Sequence, residues 1–170
     1  AKNFRLVKTP IHATSEANWL EVIAHRDDVL IEDIEIFKNF LVVSERKNGL
    51  NALRIIEWKT REEHYLPFND PAYMAYASSN PEFDTDILRY TYSSMTTPTT
   101  VYDYNMITRK QELKKQQEVT DASFSPDNYV CERIYAEVRD GVKVPMSVVY
   151  RKGFKRDGNA PLLLYGYGSY

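Results

Sequence analysis

Hydrophobic and polar residues alternate with a period of two along most of this chain. Such alternation is typical of β-strands with one buried face, and the period of 3.6 that is typical of helices is rarely sustained. The predicted strands are residues 3–8, 19–24, 29–37, 39–45, 52–59, 73–78, 88–93, 100–106, 133–139, 142–151 and 161–165. Turn-forming pairs such as Asn48-Gly49 lie between them. The pattern predicts a mainly β fold of the sandwich, barrel or propeller type.

An internal repeat favours the propeller among these folds. Segments 40–66 and 88–113 share one pattern at an offset of 48 residues (40 to 88). Each contains a strand, a polar connection, a second strand, a Thr-Arg turn and a charged segment. A unit of roughly 40–50 residues with four strands is typical of a propeller blade, whose charged last strand would be the outer edge. The polar stretch 109–119 fits either such an edge strand or a helix.

The character of the sequence changes near Pro126, which indicates a domain boundary. Residues 123–128 are rich in turn formers, and a hairpin follows whose Asp140-Gly141 loop predicts a type I′ turn. The apolar run 161–165 is typical of a strand buried on both faces of a parallel sheet. We therefore predict two domains, residues 1–127 and residues 128–170, each of them incomplete in this chain.

Composition and charge argue against several classes of function. The 170 residues carry 22 Lys and Arg against 24 Asp and Glu, a net charge of −2, so nothing indicates binding to nucleic acid or an anionic membrane. A single cysteine, Cys131, excludes an internal disulfide framework and a cysteine-rich zinc site. No apolar run approaches the ~18 residues of a membrane span, and no signal-peptide core is present. We expect a cytoplasmic protein without a metal or another cofactor.

The residues of hydrolytic catalysis are largely missing from the sequence. The nucleophile motif G-x-S-x-G does not occur, because in Gly168-Ser169 the glycine directly precedes the serine. The three histidines, His12, His25 and His64, stand in a turn, after a strand and in a charged edge segment. None of these contexts indicates a catalytic base.

The glycine-rich segment 165–170, Tyr-Gly-Tyr-Gly-Ser-Tyr, is the best candidate for chemistry. Its glycines allow the backbone to leave a strand sharply and to approach a ligand closely. A tyrosine hydroxyl in such a loop could donate a hydrogen bond to a developing oxyanion. The alternative is that Tyr165 and Tyr167 only pack beside a tight turn.

Several segments taken together resemble a known family. They include Leu-Val-Val-Ser-Glu-Arg-Lys-Asn-Gly-Leu-Asn-Ala-Leu at 41–53, Glu-His-Tyr-Leu-Pro-Phe at 63–68 and Ser-Ser-Met-Thr-Thr-Pro at 93–98. Further matching segments are residues 30–33, 80–104, 115–119, 139–155 and 160–170. In this order, along nearly the whole chain, the sequence resembles the prolyl oligopeptidase family of serine peptidases, most closely its oligopeptidase B branch.

The resemblance implies part of a seven-bladed β-propeller followed by the first strands of an α/β-hydrolase domain. Enzymes of this branch cleave short peptides after Lys or Arg by acyl transfer through a Ser–Asp–His triad, and the propeller gates access. The triad would lie beyond residue 170, so the 170 residues alone would be inactive. The implied partners are short peptide substrates and the remainder of the same polypeptide.

The resemblance also implies roles for two residues of the glycine-rich segment. Tyr167 matches the tyrosine whose hydroxyl contributes to the oxyanion hole. Tyr170 matches an aromatic residue that lines the primary specificity pocket, and Ser169 replaces a glycine of the prolyl-specific members. The alternative to an enzyme is a non-catalytic β-propeller module that binds another protein through its aromatic and charged loops.

Overall fold

The computed structural model describes residues 2–167 and is almost entirely β-structure. The strands are β1 (Leu6–Lys8), β2 (Leu20–Ile23), β3 (Val29–Ile36), β4 (Phe40–Lys47), β5 (Leu50–Glu57), β6 (Glu63–Tyr65), β7 (Tyr73–Ala77), β8 (Ile87–Ser94), β9 (Thr100–Asn105), β10 (Lys110–Gln116), β11 (Tyr129–Glu137) and β12 (Lys143–Arg151). Two short 3-10 helices, Glu16–Asn18 and Pro126–Asn128, lie between strands. The mainly β prediction is confirmed, and the charged stretch 109–119 forms a strand rather than a helix.

Two four-stranded antiparallel sheets form the centre of the fold. The first blade, β3-β4-β5-β6, and the second blade, β7-β8-β9-β10, each follow the chain in order from one edge to the other. The repeated segments therefore occupy equivalent places, with β4 matching β8 and β5 matching β9. In the second blade the outer strand β10 is exposed along its whole length, as its Lys and Glu content predicts.

The blades pack against each other through a continuous apolar core. Its buried residues are Phe37, Phe40, Val42, Leu53, Ile55 and Leu66 from the first blade, and Ala75, Leu88, Tyr90, Tyr92, Tyr104 and Met106 from the second. Aromatic rings extend this core, since Phe68 stacks on Tyr92 with centroids 5.4 Å apart. Four-strand meanders that pack face to face in this way are the arrangement of neighbouring propeller blades.

The opposite face of the first blade is covered by the antiparallel pair β1–β2. Leu41, Val43 and Ile56 of the blade pack there against Ile23 of β2. The first blade is thus buried on both faces, which explains why β4 is apolar at nearly every position from Phe40 to Val43.

Two tight turns differ in geometry although both end in glycine. Asn48 and Gly49 both have positive φ angles, 51° and 73°, so the turn predicted between β4 and β5 is of type I′. Between β11 and β12 only Gly141 has a positive φ, 79°. Because Val138 N–H bonds to Val142 O, three residues form this loop, and the predicted type I′ turn at Asp140-Gly141 is wrong.

The hairpin β11–β12 presents one apolar face that the described residues leave exposed. Ile134 pairs with Met146 and Ala136 with Val144, and Ile134, Met146 and Val144 are 36–42% exposed. The opposite face carries Arg133 and points toward the two blades. The hairpin therefore has a large apolar surface that requires a partner to be buried.

The apolar run 161–165 does not form the predicted strand. Residues 161–167 have no regular secondary structure, and Leu162, Leu163 and Leu164 are 84%, 90% and 83% exposed. A strand exists only through hydrogen bonds to a neighbouring strand, and none of the described strands lies beside this run.

Candidate functional site

The two site residues predicted from the sequence lie at the end of the chain. Tyr167 follows the irregular segment and is 69% exposed, whereas Tyr170 lies outside the described residues. A Cβ added at Gly166 would meet no atom within 4 Å, so no close approach requires a glycine there among the described residues. The oxyanion role of Tyr167 and the pocket role of Tyr170 stay predictions.

A cavity of about 330 Å³ lies where the β11–β12 hairpin meets the ends of both blades. Its lining combines Arg133 and Ser147 of the hairpin with Gly49 of the first blade and Tyr73 and Ser94 of the second. Arg133 Nη2 donates to the carbonyl oxygen of Asn48 at 2.7 Å. This contact joins residues 85 positions apart in the sequence.

The single cysteine lies beside this junction. Cys131 is half-buried on β11. Burial and the negative charge of Asp70 raise the pKa of the thiol, which keeps it protonated and unreactive at neutral pH. Cys131 therefore serves as a packing residue.

A charged cluster is buried between β2 and the first blade. Glu45, only 1% exposed, accepts hydrogen bonds from Arg26, from Arg54 Nη1 at 3.3 Å and from the Tyr65 hydroxyl at 2.9 Å. Arg54 also pairs with Glu63. Burial opposes the charge of Arg26, but bonds to Tyr65 and Glu45 raise its pKa. The cluster fixes the buried carboxylate of Glu45 among two cations and a hydroxyl.

A histidine connects the two blades at the opposite end of the sheets from the Asn48-Gly49 turn. His64 Nε2 and the Tyr104 hydroxyl are 2.9 Å apart. Burial, and then the positive charge of Arg109, lower the pKa of His64. Glu57 and Glu62 line the same cleft of about 310 Å³. Within the described chain His64 makes a contact between blades, and the prediction that it has no catalytic context agrees with this position.

Two tyrosines in the core between the blades donate hydrogen bonds from their hydroxyls to polar side chains. The Tyr92 hydroxyl donates to Asp70, and the Tyr90 hydroxyl donates to Gln111 Oε1 at 2.8 Å. Burial raises the pKa of both tyrosines strongly. These hydroxyls are consequently structural hydrogen-bond donors that stay protonated.

The described part of the chain has neither a cluster of metal ligands nor a helix that could span a membrane. Residues 2–167 contain no group of three or more His, Cys, Asp or Glu side chains that could hold a metal ion. Among these residues, too, there is no helix with the length and apolar character needed to cross a membrane.

Two features were not found by the sequence analysis above. They are the ion pairs of buried Glu45 and the contact of Arg133 with the Asn48-Gly49 turn. The first had a signal, because Glu45 falls on the same strand face as Leu41 and Val43 and therefore on a buried face. The contact of Arg133 has no signal in the sequence. Asn48-Gly49 predicts only a turn, and Arg133 predicts only a polar position on a hairpin strand.

Comparison with known proteins identifies the family of the chain. Residues 1–117 match the family model described as prolyl oligopeptidase, N-terminal beta-propeller domain. The chain therefore belongs to the prolyl oligopeptidase family, which confirms the resemblance seen in its residues, and the two blades are propeller blades.

Individual relatives match over the whole chain. It is 46% identical over 171 residues to dipeptidyl aminopeptidase BI of Pseudoxanthomonas mexicana, covering 100% of this chain and 23% of that protein. It is 29% identical to protease 2 of Moraxella lacunata, covering 100% of this chain and 24% of that protein. The structure of oligopeptidase B from Trypanosoma brucei superposes with a TM-score of 0.80 at 34% identity, over 92% of this chain and 23% of that one. The chain thus spans about a quarter of the length of these relatives.

Acidification should weaken the contact between the blades through His64. Because the pKa of folded His64 lies below its ordinary value, the unfolded chain takes up the proton first. Stability that is present above about pH 6.5 is therefore lost as the pH falls. We expect the apparent Tm to fall more between about pH 7.5 and pH 5.5 in the wild type than in His64→Gln. His12→Gln, at an exposed loop position, is the control, and an equal fall in all three proteins would contradict the role of His64.

Proposed function

We propose that this chain is part of a serine oligopeptidase that hydrolyses short peptides after Lys or Arg by Ser–Asp–His acyl transfer. The observation that carries the proposal is the family match over residues 1–117, together with similarity to peptidases over the full chain. The nucleophile motif G-x-S-x-G does not occur in the 170 residues, so the triad would be supplied by the remainder of a longer polypeptide. In that polypeptide the blades would gate the access of peptides to the catalytic domain.

The division of the chain follows from this proposal. Residues 1–127 would be the last blades of the propeller, and residues 128–170 would begin the α/β-hydrolase domain. The end of the family match at residue 117 supports this division. The exposed apolar face of the hairpin supports it too, because strands of a hydrolase sheet are covered on both sides.

Within that domain we propose that the Tyr167 hydroxyl donates to the oxyanion of the tetrahedral intermediate. The support is its place in the Tyr-Gly-Tyr-Gly-Ser-Tyr segment, which matches the family's oxyanion-hole tyrosine. Tyr170 would line the pocket for the residue before the cleaved bond. No cofactor would take part in this chemistry, because the histidine of the triad carries the proton transfers and the oxyanion donors stabilise the negative charge.

A second candidate function is the release of dipeptides from a free amino terminus. The observation that favours it is the 46% identity to a protein named dipeptidyl aminopeptidase BI. The non-catalytic binding module receives no such support, because the relatives described above carry the names of peptidases.

A substrate panel separates these functions in the longer polypeptide. The panel has N-acetylated peptides ending in Arg, Lys or Pro before a chromogenic leaving group, and Ala-Arg with a free amino terminus before the same group. We expect Arg and Lys to exceed Pro by at least about tenfold in kcat/KM. A preference for Pro would overturn the proposed specificity. Activity confined to the Ala-Arg substrate with a free amino terminus would favour the second candidate.

Two controls make the assay specific. A serine-reactive phosphonate should abolish turnover, because the nucleophile is a serine. Residues 1–170 alone should show no turnover, since they lack the nucleophile motif. Hydrolysis by residues 1–170 that the phosphonate blocks would overturn the assignment of the triad to the remainder of the polypeptide.

A further inference from the structure

The cavity between the β11–β12 hairpin and the two blades is lined by the guanidinium of Arg133, which lacks some of its hydrogen-bond partners within residues 2–167. Arg133 is half-buried there, and its Nη2 donates to Asn48 O at 2.7 Å. Its Nε is buried and has no hydrogen-bond partner among the described residues. A partly buried guanidinium that lines a cavity and makes a single hydrogen bond in the described chain favours a ligand that accepts from the guanidinium.

The guanidinium is held in place by the turn beneath it. Gly49 has a φ of 73°, and a Cβ at this position would lie 2.8 Å from Arg133 Nη2. The bare face of the glycine therefore lets the guanidinium approach the backbone, and the Asn48 carbonyl fixes its orientation. The side chain is preorganised by contacts other than those a ligand would make.

Arg133 differs from the other partly buried arginines in having no ion-pair partner among the described residues. Three arginines have a buried Nε without a partner, and two of them, Arg26 and Arg54, share the carboxylate of Glu45. Arg133 forms no ion pair with any carboxylate among residues 2–167. An anion in the cavity would therefore supply a hydrogen-bond acceptor and the negative charge that Arg133 lacks.

The rest of the lining suits a small polar group beside an apolar one. Ser93, Ser94 and Ser147 bring hydroxyls to the wall, and Met74 and Met95 bring apolar surface. Tyr73 and Arg133 both line the cavity, where burial raises the pKa of Tyr73 and the positive charge of Arg133 opposes that rise. The volume of about 330 Å³ is roughly ten times the ~30 Å³ that one water occupies in the liquid.

We propose that this cavity binds a carboxylate group through the Arg133 guanidinium. The planar fork of arginine matches the two oxygens of a carboxylate. The carboxylate has two possible sources, the terminus of a peptide or an acidic side chain in the remainder of the longer polypeptide. The peptide source rests on the proposed peptidase function, but the site itself is measured by binding, without turnover.

The first arm of the test measures peptide binding by calorimetry in the longer polypeptide. The probes are N-acetylated tetra-alanine with a free carboxylate and the same peptide as its C-terminal amide. If the carboxylate comes from a peptide, the free acid should bind about tenfold more tightly than the amide, a difference of about 1.4 kcal/mol. Arg133→Met should abolish this preference, and Arg139→Met, an exposed arginine in the loop of the same hairpin, should retain it.

The second arm tests the internal source by double-mutant cycles. Acidic residues outside this chain are replaced by their amides in the wild type and in Arg133→Met, and the apparent Tm is measured. If the carboxylate is internal, one replacement should lower the Tm of the wild type and leave that of Arg133→Met unchanged. If neither the peptide preference nor such a coupling is found, the carboxylate site is overturned, whatever the outcome of the substrate panel.

Discussion

Replacing Glu45 with alanine should lower the free energy of local unfolding of the first blade by about 3 kcal/mol. The substitution leaves Arg26 and Arg54 without their shared carboxylate, and their side chains are only 29% and 13% exposed. Removing one partner from a buried ion cluster is more costly than the cluster is stabilising, because the remaining charges stay desolvated. Hydrogen exchange of the β4 and β5 amides measures the effect directly.

The control for this substitution is Glu63→Ala in the same cluster. Glu63 contacts Arg54 but is 46% exposed, so its loss should cost less than about 1 kcal/mol. A Glu45→Ala protein whose β4 and β5 amides exchange as slowly as those of Glu63→Ala would show that solvent already compensates the two arginines. Such a result would exclude the pairing with Glu45 as a major contribution to the stability of the first blade.

Replacing Tyr167 with phenylalanine should lower kcat of the longer polypeptide by roughly 10²–10³ with little change in KM. The hydroxyl would act on the oxyanion, which exists only in the transition state and the intermediate, so the binding of the substrate itself is not affected. The measurement is steady-state kinetics with the Arg substrate of the panel. Phenylalanine retains the ring, which separates the loss of the hydroxyl from a loss of packing.

The matched control is Tyr165→Phe, two residues earlier in the same exposed segment. It removes a hydroxyl of the same kind and should leave kcat within about twofold of the wild type. An unchanged kcat in Tyr167→Phe would exclude this hydroxyl from the oxyanion hole. An equal loss in both variants would indicate that the segment needs its tyrosines for its conformation rather than for catalysis.

Much of the fold could be predicted because its cause is local. The period of two and the 48-residue offset place β4, β5, β8 and β9 within one or two residues of their observed bounds. The type I′ turn at Asn48-Gly49 was predictable from its two residues, whereas the Asp140-Gly141 loop was not, because its length is set by the register of β11 with β12. Most of the tyrosines likewise fall on blade strands, as with Tyr90 and Tyr92 of β8.

The candidate sites depended on the sequence to very different degrees. Tyr167 could be chosen from its motif alone, and its position in the structure neither adds to nor removes that reasoning. The cavity at Arg133 could not be chosen, because a guanidinium on the polar face of a hairpin has the same local pattern whether it meets solvent or a turn.

The sequence by itself determined the class of fold, the blade repeat and the family, because each of these is encoded in the order of residues along short stretches. The tertiary structure decided which charged side chains are buried and which of them have an ion-pair partner. The charge of Glu45 is compensated because Arg54 of the neighbouring strand and Arg26 of the segment between β2 and β3 converge on it. Arg133 reaches Asn48 across 85 residues, and no local pattern carries information over that separation. The run 161–165 shows the same limit, since an apolar sequence becomes a strand only where another strand supplies its hydrogen bonds.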